Sequence, residues 1–233
     1  AALASKADVA VLPEMFATGF CTDHPELAET MEGDIIHRLQ AAADQHGIAI
    51  VSSFICLPAM GQRLVNRGFI IKPNAPIEIQ DKRHLYAHGG EDLFFQPAQK
   101  RHVFEYKGVK ILLLVCYDLR FPVWARNRSG YDYDIILVVA NWPDIRIQYW
   151  DALIAARATE NQCYIAAVNC VGDDGMELHY NGHSVAYDTR LQPIVSFADD
   201  EEGTKIADFD IAKLHHFREV LPLWKDVDAF KLQ

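Results

Sequence analysis

The sequence predicts an α/β domain with layered sheets, and three observations carry that prediction. Predicted buried strands alternate with predicted helices along the chain, an order that favours helices packed against sheets. Apolar runs such as Ile48–Ile55 and Asp134–Ala140 are typical of strands that are covered on both faces. Helical spacing of apolar residues recurs over 34–46 and 147–161, and Gly47 is expected to end the first of these helices.

The remaining elements continue this alternation. A hairpin is predicted around Lys107-Gly108, a short helix over 122–128, and a partly helical tail over 214–223. The further strands are predicted at 9–12, 66–72, 77–80, 109–115, 163–169, 194–197 and 205–210.

Length, charge and cysteine content limit the number of domains, the class of partner and the cellular compartment that we expect. The 233 residues suffice for one domain, spanning 1–233, with a sizeable core. A formal net charge of −10 argues against nucleic acid or an anionic membrane as the main partner. No apolar run approaches the ~20 residues of a membrane-spanning helix. The five cysteines are scattered and odd in number, so we expect a reducing, cytoplasmic location.

The stretch Ile111–Pro122 is the first candidate for chemistry. It begins as an apolar strand and breaks at Cys116 into polar residues and a proline. A nucleophile on such a turn has an exposed side chain and backbone N–H groups close by, as in hydrolases with a nucleophile elbow. From this stretch alone, a small hydrophobic residue at the end of a core strand is an equally good interpretation of Cys116.

Two other predicted strands also end at reactive side chains. The apolar strand at 9–12 stops at Glu14, and the alternating strand at 77–80 runs into Lys82. Glutamate, lysine and cysteine in this order resemble the nitrilase superfamily of carbon–nitrogen hydrolases over nearly the whole chain. The three matching motifs are Leu12-Pro13-Glu14, Asp81-Lys82-Arg83-His84-Leu85 and Val115-Cys116-Tyr117-Asp118-Leu119-Arg120-Phe121-Pro122.

The resemblance implies a four-layer αββα sandwich, and relatives commonly stack two sandwiches, so we expect a homodimer or a higher homo-oligomer. It also implies that the partner is a small-molecule amide substrate and that no cofactor is needed. Family members usually carry an earlier strand and most of a helix before the position of Ala1, so we expect the native protein to begin upstream.

The resemblance assigns roles to the three strand-end residues. A free cysteine thiol, with a pKa near 8.5, is mostly protonated at neutral pH and needs a base or a nearby cation. Glu14 is the predicted general base, and Lys82 is the predicted positive charge beside the thiolate and the later oxyanion. The backbone N–H of Tyr117, directly after Cys116, is the predicted second oxyanion donor.

A second glutamate near the nucleophile is also implied by the resemblance, and Glu91 is the candidate, with Asp92 beside it. A solvated loop carboxylate is an equally good interpretation of Glu91 from sequence alone. His84 and His88 have the four-residue spacing of a metal pair on a helix, but no third ligand has clear spacing, so we expect no metal. A Cys/His catalytic pair is the rival arrangement.

The substrate prediction rests on resemblance to the omega-amidase branch, which includes bacterial 2-oxoglutaramate amidases. It implies hydrolysis of the terminal amide of a small 2-oxo acid monoamide to a carboxylate and ammonia, through a cysteine thioester. The alternatives are another amide, an N-carbamoyl compound or a nitrile, and a non-catalytic binding protein. The segments that carry the resemblance are Leu12–Phe20, Lys82–Leu85, Cys116–Asn127, Ala140–Pro143 and Ala156–Gln162.

A 2-oxo acid substrate carries a carboxylate, so the pocket should contain a cation besides the catalytic lysine. Arg146 is the candidate for that cation, and Phe16 and Trp142 are the candidates for pocket walls. Arg120 and Arg157 are instead expected to be structural ion-pair partners, because their positions suit a sharp turn and a packed helix.

Overall fold

The computed structural model describes residues 7–128, 130–175 and 177–228. In chain order its strands are β1 (Val9–Val11), β2 (Ala49–Cys56), β3 (Val65–Ile71), β4 (Glu78–Asp81), β5 (Phe104–Tyr106), β6 (Val109–Val115), β7 (Ile135–Ala140), β8 (Tyr164–Asn169), β9 (Val171–Asp173), β10 (His179–Asn181), β11 (Val185–Tyr187) and β12 (Pro193–Ser196). Its helices are α1 (Asp34–His46), α2 (Glu91–Phe94), α3 (Pro122–Ala125), α4 (Ile147–Asn161) and α5 (Ile211–Val220).

Within the described residues, these strands form two large sheets and a small ribbon. The first sheet has the order β1-β2-β3-β4, with β1 parallel to β2 and the other pairs antiparallel. The second has the order β12-β11-β8-β7-β6-β5, and its centre, β6, β7 and β8, is parallel. The ribbon pairs β9 with β10. The carboxyl ends of the three parallel strands therefore meet at one edge, where α/β proteins commonly bind ligands.

The two sheets pack face to face, and helices cover their outer faces. Val51 and Ile70 of the first sheet share a buried apolar cluster with residues of the second, including Leu113. Ile36 of α1 packs on the outer face of the first sheet. Trp150 of α4 joins the core of the second sheet, as does Leu214 of α5 (0% and 1% exposed). This is the four-layer αββα sandwich that the sequence predicts.

Strand β3 shows how alternation aims side chains at the space between the sheets. Successive side chains of a strand point to opposite faces, so Asn66, Gly68 and Ile70 share one face. A Cβ atom built on Gly68 would lie 2.6 Å from the carbonyl oxygen of Gln80, on the neighbouring strand β4, and 2.8 Å from Leu113 Cδ2 of the second sheet, so the two sheets approach closely there. Asn66, on the same face, therefore points into the interior.

The hairpin and the long helices follow the predictions, and one predicted strand is wrong. Lys107 and Gly108 have φ of 49° and 76°, the left-handed values that a two-residue hairpin turn requires. Residues 205–210 form no strand. They do not pair with β12, the edge strand of the second sheet, and the segment leads directly into α5. Asp210 caps that helix, its carboxylate accepting from the Lys213 N–H at 2.9 Å. Across the described ranges, no helix is long and apolar enough to cross a bilayer.

Candidate active site

Cys116 lies at the carboxyl end of β6, at the edge where the parallel strands end. Its φ of 47° places it in the left-handed region, and a 3₁₀ turn, Cys116–Arg120, begins with it. This strained residue makes the sharp turn that the sequence predicts at this position. Asn141 follows β7 at the same edge, and the Cys116 Sγ lies 3.8 Å from the Asn141 carbonyl oxygen.

Glu14 follows β1 and enters the site from the opposite sheet. It is fully buried, and its Oε1 accepts from Lys82 Nζ at 2.9 Å and from Asn66 Nδ2 at 2.8 Å. Its Oε2 accepts from the Asn141 backbone N–H at 3.0 Å. The Asn141 side chain donates to the Glu14 backbone carbonyl oxygen at 2.8 Å, so Asn141 fixes both the side chain and the backbone of Glu14.

Glu91, at the start of α2, completes the buried charge cluster. Its Oε2 lies 2.9 Å from Lys82 Nζ and accepts from the Tyr86 backbone N–H at 2.7 Å. Its Oε1 accepts from Asn66 Nδ2 at 3.1 Å. Glu91 is 0% exposed whereas Asp92 is exposed, so the loop-carboxylate interpretation does not hold for Glu91.

Burial and the paired charges set the protonation states in this cluster. Burial opposes the charge of Lys82, but the carboxylates of Glu14 and Glu91 outweigh it and raise the pKa of the lysine. Burial raises the pKa of Glu91, and the charge of Lys82 opposes that rise. Burial, followed by the charge of Glu14, raises the pKa of Cys116 well above its usual range, against the lowering effect of Lys82. A raised pKa favours the thiol form of Cys116, and a thiol needs a base in order to act as a nucleophile.

Asn66 is a buried residue of this cluster that sequence reasoning missed. Its single side-chain NH₂ group donates to both Glu14 and Glu91, and its Oδ1 has no partner among the described residues. The available signal was an asparagine on the same face of β3 as Gly68 and Ile70, which is the inward face. Because one NH₂ group bridges both carboxylates, Asn66 fixes the distance between them.

The segment carrying the lysine is tied to the turn carrying the nucleophile. The buried carboxylate of Asp118 accepts from the His84 backbone N–H at 2.9 Å and lies 2.8 Å from His84 Nδ1. It also accepts from the Val115 N–H at 3.3 Å. The His84 ring stacks on Phe121 with centroids 3.6 Å apart. His84 therefore has a structural partner, and the metal-pair interpretation with His88 gains no support from its contacts.

Cys116 and Lys82 open onto a cavity of about 440 Å³, which we call the catalytic cavity. A cavity of this size accepts a small organic molecule. Lys82 Nζ lies 5.3 Å from the centroid of the Phe20 ring, so an aromatic face covers the lysine. The other lining side chains include Thr22, Asp23, Tyr86, His88, Leu93, Phe94, Tyr117, Arg120, Trp142, Ile145, Arg146, Asp174, Leu178 and Tyr180.

Of the three predicted substrate-binding residues, Trp142 and Arg146 line the catalytic cavity and Phe16 does not. The Phe16 prediction is wrong because Met15 has a φ of 43° and turns the chain, so that Phe16 packs with the apolar cluster under α1. Phe20 lines the cavity instead. The Trp142 indole N–H donates to the Arg146 carbonyl oxygen at 2.9 Å, which connects the wall to the arginine.

The two arginines that the sequence predicts in ion pairs behave differently. Arg157 pairs with Glu160 at 2.9 Å, as expected. Arg120 has no carboxylate within salt-bridge distance in the described part of the chain, and its guanidinium lies 4.7 Å from the Trp142 ring and 5.1 Å from the Tyr149 ring. The expected Arg120 ion pair is therefore wrong, because aromatic faces and not a carboxylate hold this cation at the mouth of the cavity.

Comparison with known proteins places this site in a family. A family model described as carbon–nitrogen hydrolase matches residues 1–219. The chain is 41% identical to the omega-amidase YafV of Escherichia coli (strain K12), covering 97% of this chain and 86% of that protein. It is 32% identical to a 2-oxoglutaramate amidase of Bacillus subtilis, covering 95% of this chain and 85% of that protein.

A solved structure agrees with these sequence relationships. A carbon–nitrogen hydrolase superfamily protein of Xanthomonas campestris, with an arsenic adduct in its active site, is 37% identical with a TM-score of 0.92. The match covers 100% of this chain and 90% of that one. The chain therefore belongs to the carbon–nitrogen hydrolase family.

Proposed function

We propose that this enzyme hydrolyses the terminal amide of a small 2-oxo acid monoamide, such as 2-oxoglutaramate, to a carboxylate and ammonia. The observation that carries the proposal is the buried cluster of Glu14, Lys82 and Glu91 beside Cys116, at the floor of the catalytic cavity. The similarity to an omega-amidase and a 2-oxoglutaramate amidase supports the substrate class.

In the first step, Glu14 takes the thiol proton as Cys116 Sγ attacks the amide carbon. The raised pKa of the thiol makes this base necessary, and Glu14 is itself a cause of the raised pKa through its charge and a side-chain hydrogen bond. Its Oε2 accepts from the Asn141 N–H at 3.0 Å, and a carboxylate oxygen has a second acceptor position for the thiol proton.

Lys82 and the Tyr117 backbone N–H are the proposed donors to the oxyanion of the tetrahedral intermediate. An ammonium group has three N–H donors, and Glu14 and Glu91 each accept one, so the third is available to substrate. Both donors are fixed before substrate arrives, which is the arrangement that stabilises a transition state most effectively.

Ammonia then leaves with the proton that Glu14 holds, and a thioester remains on Cys116. Water, deprotonated by Glu14, attacks the thioester, the thiolate leaves and recovers a proton, and the acid product forms. The new carboxylate of the product lies beside Glu14 and Glu91, so charge repulsion favours its release.

Arg146 is the proposed partner of the substrate's own carboxylate, with Trp142 as a wall. Arg146 lines the catalytic cavity, and its guanidinium lies 5.6 Å from the Tyr86 ring. Among the described residues it has no carboxylate within salt-bridge distance, so its charge is available to an anionic substrate.

We also propose a cytoplasmic location and self-association into a homodimer or higher homo-oligomer. All five cysteines are free, which suits a reducing compartment. Large apolar side chains are exposed on α4, at the end of α5 and directly after it, and they suit a subunit contact. They are Tyr149, Val220, Leu221 and Leu223. Light scattering on the purified protein gives the oligomeric mass, and a monomer at micromolar concentration would contradict the self-association.

The test of the function is coupled ammonia release from 2-oxoglutaramate, with glutamine, asparagine, an N-carbamoyl amino acid and a simple nitrile alongside. We expect the 2-oxo amide to give the highest kcat/KM, and Cys116→Ala to abolish release while the protein stays folded. Cys163→Ala is the matched control, because Cys163 is buried outside the catalytic cavity. Full activity of Cys116→Ala would refute the mechanism, and a 2-oxo amide ranked last would refute the substrate.

A further inference from the structure

A second cavity, of about 460 Å³, lies outside the catalytic cavity and shares none of its lining residues. We call it the basic cavity. Its walls come from the segment after Lys82, the segment before β5 and the segment around α3. The lining residues are Arg83, His84, Gln99, Lys100, Arg101, Phe121, Pro122, Val123, Trp124 and Arg128.

The basic cavity concentrates positive charge in a chain whose formal net charge is −10. Four of its lining side chains are cationic, namely Arg83, Lys100, Arg101 and Arg128, and none is a carboxylate. Two carboxylates adjoin the cavity. Asp132 pairs with Arg101 and also, at 3.6 Å, with Arg128, whereas Asp118 lies 2.8 Å from His84 Nδ1 and accepts from the Arg83 backbone N–H at 3.4 Å.

Arg83 and Lys100 have no carboxylate within salt-bridge distance among the described residues. Four cationic side chains therefore face two carboxylates, Asp118 and Asp132, and positive charge is left over. Burial lowers the pKa of Arg101, and the positive charge of Arg128 acts in the same direction, against the charges of Tyr133 and Asp132. An anion bound among these cations would be attracted by their excess positive charge.

Two of the cations are already held in place. The Arg101 side chain is 4% exposed and donates to the carbonyl oxygens of Trp124, at 3.0 Å, and Arg126, at 2.8 Å. Arg83 donates to the Ala98 carbonyl oxygen at 2.7 Å, and its guanidinium lies 5.8 Å from the Trp124 ring. Cations that are fixed before binding lose less side-chain entropy when a ligand arrives.

One wall of the basic cavity is apolar, and it contains an unused donor. Phe121 and Trp124 line the cavity together with the cations, and Trp124 is 4% exposed. The indole N–H of Trp124 has no acceptor among the described residues, although buried indole groups usually have one. The cavity therefore offers an apolar surface next to concentrated positive charge.

We propose that the basic cavity binds a small organic dianion, either a phosphate monoester or a dicarboxylate, whose apolar body rests against Phe121 and Trp124. Guanidinium groups match the geometry of phosphate and carboxylate oxygens. The volume is that of a small-molecule site. The ligand would contact the segments that carry Lys82 and Cys116, which Asp118 already ties together.

The test is calorimetric titration of the whole protein, at low ionic strength in a chloride buffer, with phenyl phosphate, inorganic phosphate, succinate and benzoate. We expect saturable binding of phenyl phosphate or succinate, with benzoate, a monoanion, at least about tenfold weaker. The better of the two dianions identifies the ligand class. Absence of saturable binding by every dianion would overturn the proposal.

Charge-matched variants locate the binding. Lys100→Ala with Arg128→Ala removes two cations of the cavity, and we expect it to weaken binding about tenfold or more. Lys110→Ala with Lys213→Ala removes two exposed cations elsewhere and should leave binding unchanged. An equal loss of dianion affinity in both double variants would mean that binding depends only on the net charge of the protein, and it would overturn the proposal.

Two further readouts distinguish a ligand site in the basic cavity from binding in the catalytic cavity and from a subunit contact. Arg146→Gln removes a cation of the catalytic cavity, so loss of dianion binding in that variant would place the ligand there and overturn the proposal. If Lys100→Ala with Arg128→Ala changes the oligomeric mass while the native protein binds no dianion, the cavity is a protein contact and the proposal fails. Neither outcome depends on which amide the enzyme hydrolyses.

Discussion

The floor and the mouth of the catalytic cavity use charge in opposite ways. At the floor, Glu14, Lys82 and Glu91 are fully buried, and the lysine lies 2.9 Å from each of the two carboxylates. At the mouth, Arg120 and Arg146 lie against aromatic rings and, within the described ranges, have no carboxylate partner. Under the proposed function, the floor is preorganised for the reaction and the mouth offers cations to an anionic substrate.

The largest expected effect comes from Lys82→Met at the floor. Removing the lysine leaves two buried carboxylates without their cation, so we expect a loss of about 3–5 kcal/mol in the free energy of unfolding. Urea denaturation measures that loss, and ammonia release should fall below detection. Lys72→Met, which breaks a half-buried pair with Glu78, is the control and should cost about 1 kcal/mol or less. Similar losses in the two variants would contradict the comparison.

A smaller effect is expected from Asn66→Leu, which removes the bridge between Glu14 and Glu91. We expect kcat to fall about a hundredfold with little change in KM, because the bridge positions the base and not the substrate. Steady-state kinetics on the folded variant measures the two constants, and the pH profile of kcat should also shift. Asn181→Leu removes another buried asparagine, outside the cavity lining, and should retain kcat. A change confined to KM would contradict this role for Asn66.

At the mouth, Arg146→Gln should affect binding and spare the chemistry. We expect KM for a carboxylate-bearing amide to rise about tenfold, since one charge-assisted contact is lost, while kcat changes little. An uncharged amide of similar size should show no change in KM. Steady-state kinetics on both substrates measures the difference. A loss of kcat with unchanged KM would contradict a role of Arg146 in substrate binding and indicate a role in the chemical step.

The smallest expected effect concerns the ribbon β9–β10, which brings Tyr180 to the mouth. Hydrogen bonds to Asp173 and Asp200 raise the pKa of His179. Partial burial opposes the charge of His183, but hydrogen bonds with Asp199 and Asp151 outweigh it and raise its pKa as well. The stability that these pairs supply is therefore complete below about pH 6.5, the unfolded value, and is lost as pH rises through the raised pKa values.

Thermal unfolding of the native protein and of His179→Gln with His183→Gln measures this contribution. The difference in Tm between the two proteins should be at most a few degrees at pH 6 and should vanish at alkaline pH. His216→Gln changes an exposed histidine of α5 and is the control. A difference in Tm that grows as pH rises would contradict the stabilising role of the protonated histidines.

The floor could be predicted from sequence to a greater extent than the mouth. Glu14 and Cys116 follow apolar strands and Lys82 follows an alternating one, and a strand end in a layered sheet has little freedom in where it places the next residue. Resemblance to a family supplied Glu91, which lies on a four-residue helix that no apolar pattern marks.

The mouth depends on side-chain directions after turns, which sequence patterns do not determine. The positive φ of Met15 sends Phe16 to the core and leaves Phe20 for the cavity. The ion pair predicted for Arg120 is wrong because the rings of Trp142 and Tyr149 that hold it come from segments distant in sequence. Asn66 could not be predicted for a similar reason, since its two partners, Glu14 after β1 and Glu91 at the start of α2, are distant in sequence.

The most direct test of the central claim is rapid acid quench of the enzyme with 2-oxoglutaramate, followed by intact-protein and peptide mass spectrometry. If the floor performs the reaction, the substrate's acyl group, without ammonia, should be attached to the peptide that contains Cys116. Cys116→Ala should carry no adduct. Turnover of the amide with no acyl adduct at any quench time, or with the adduct on another residue, would contradict the account.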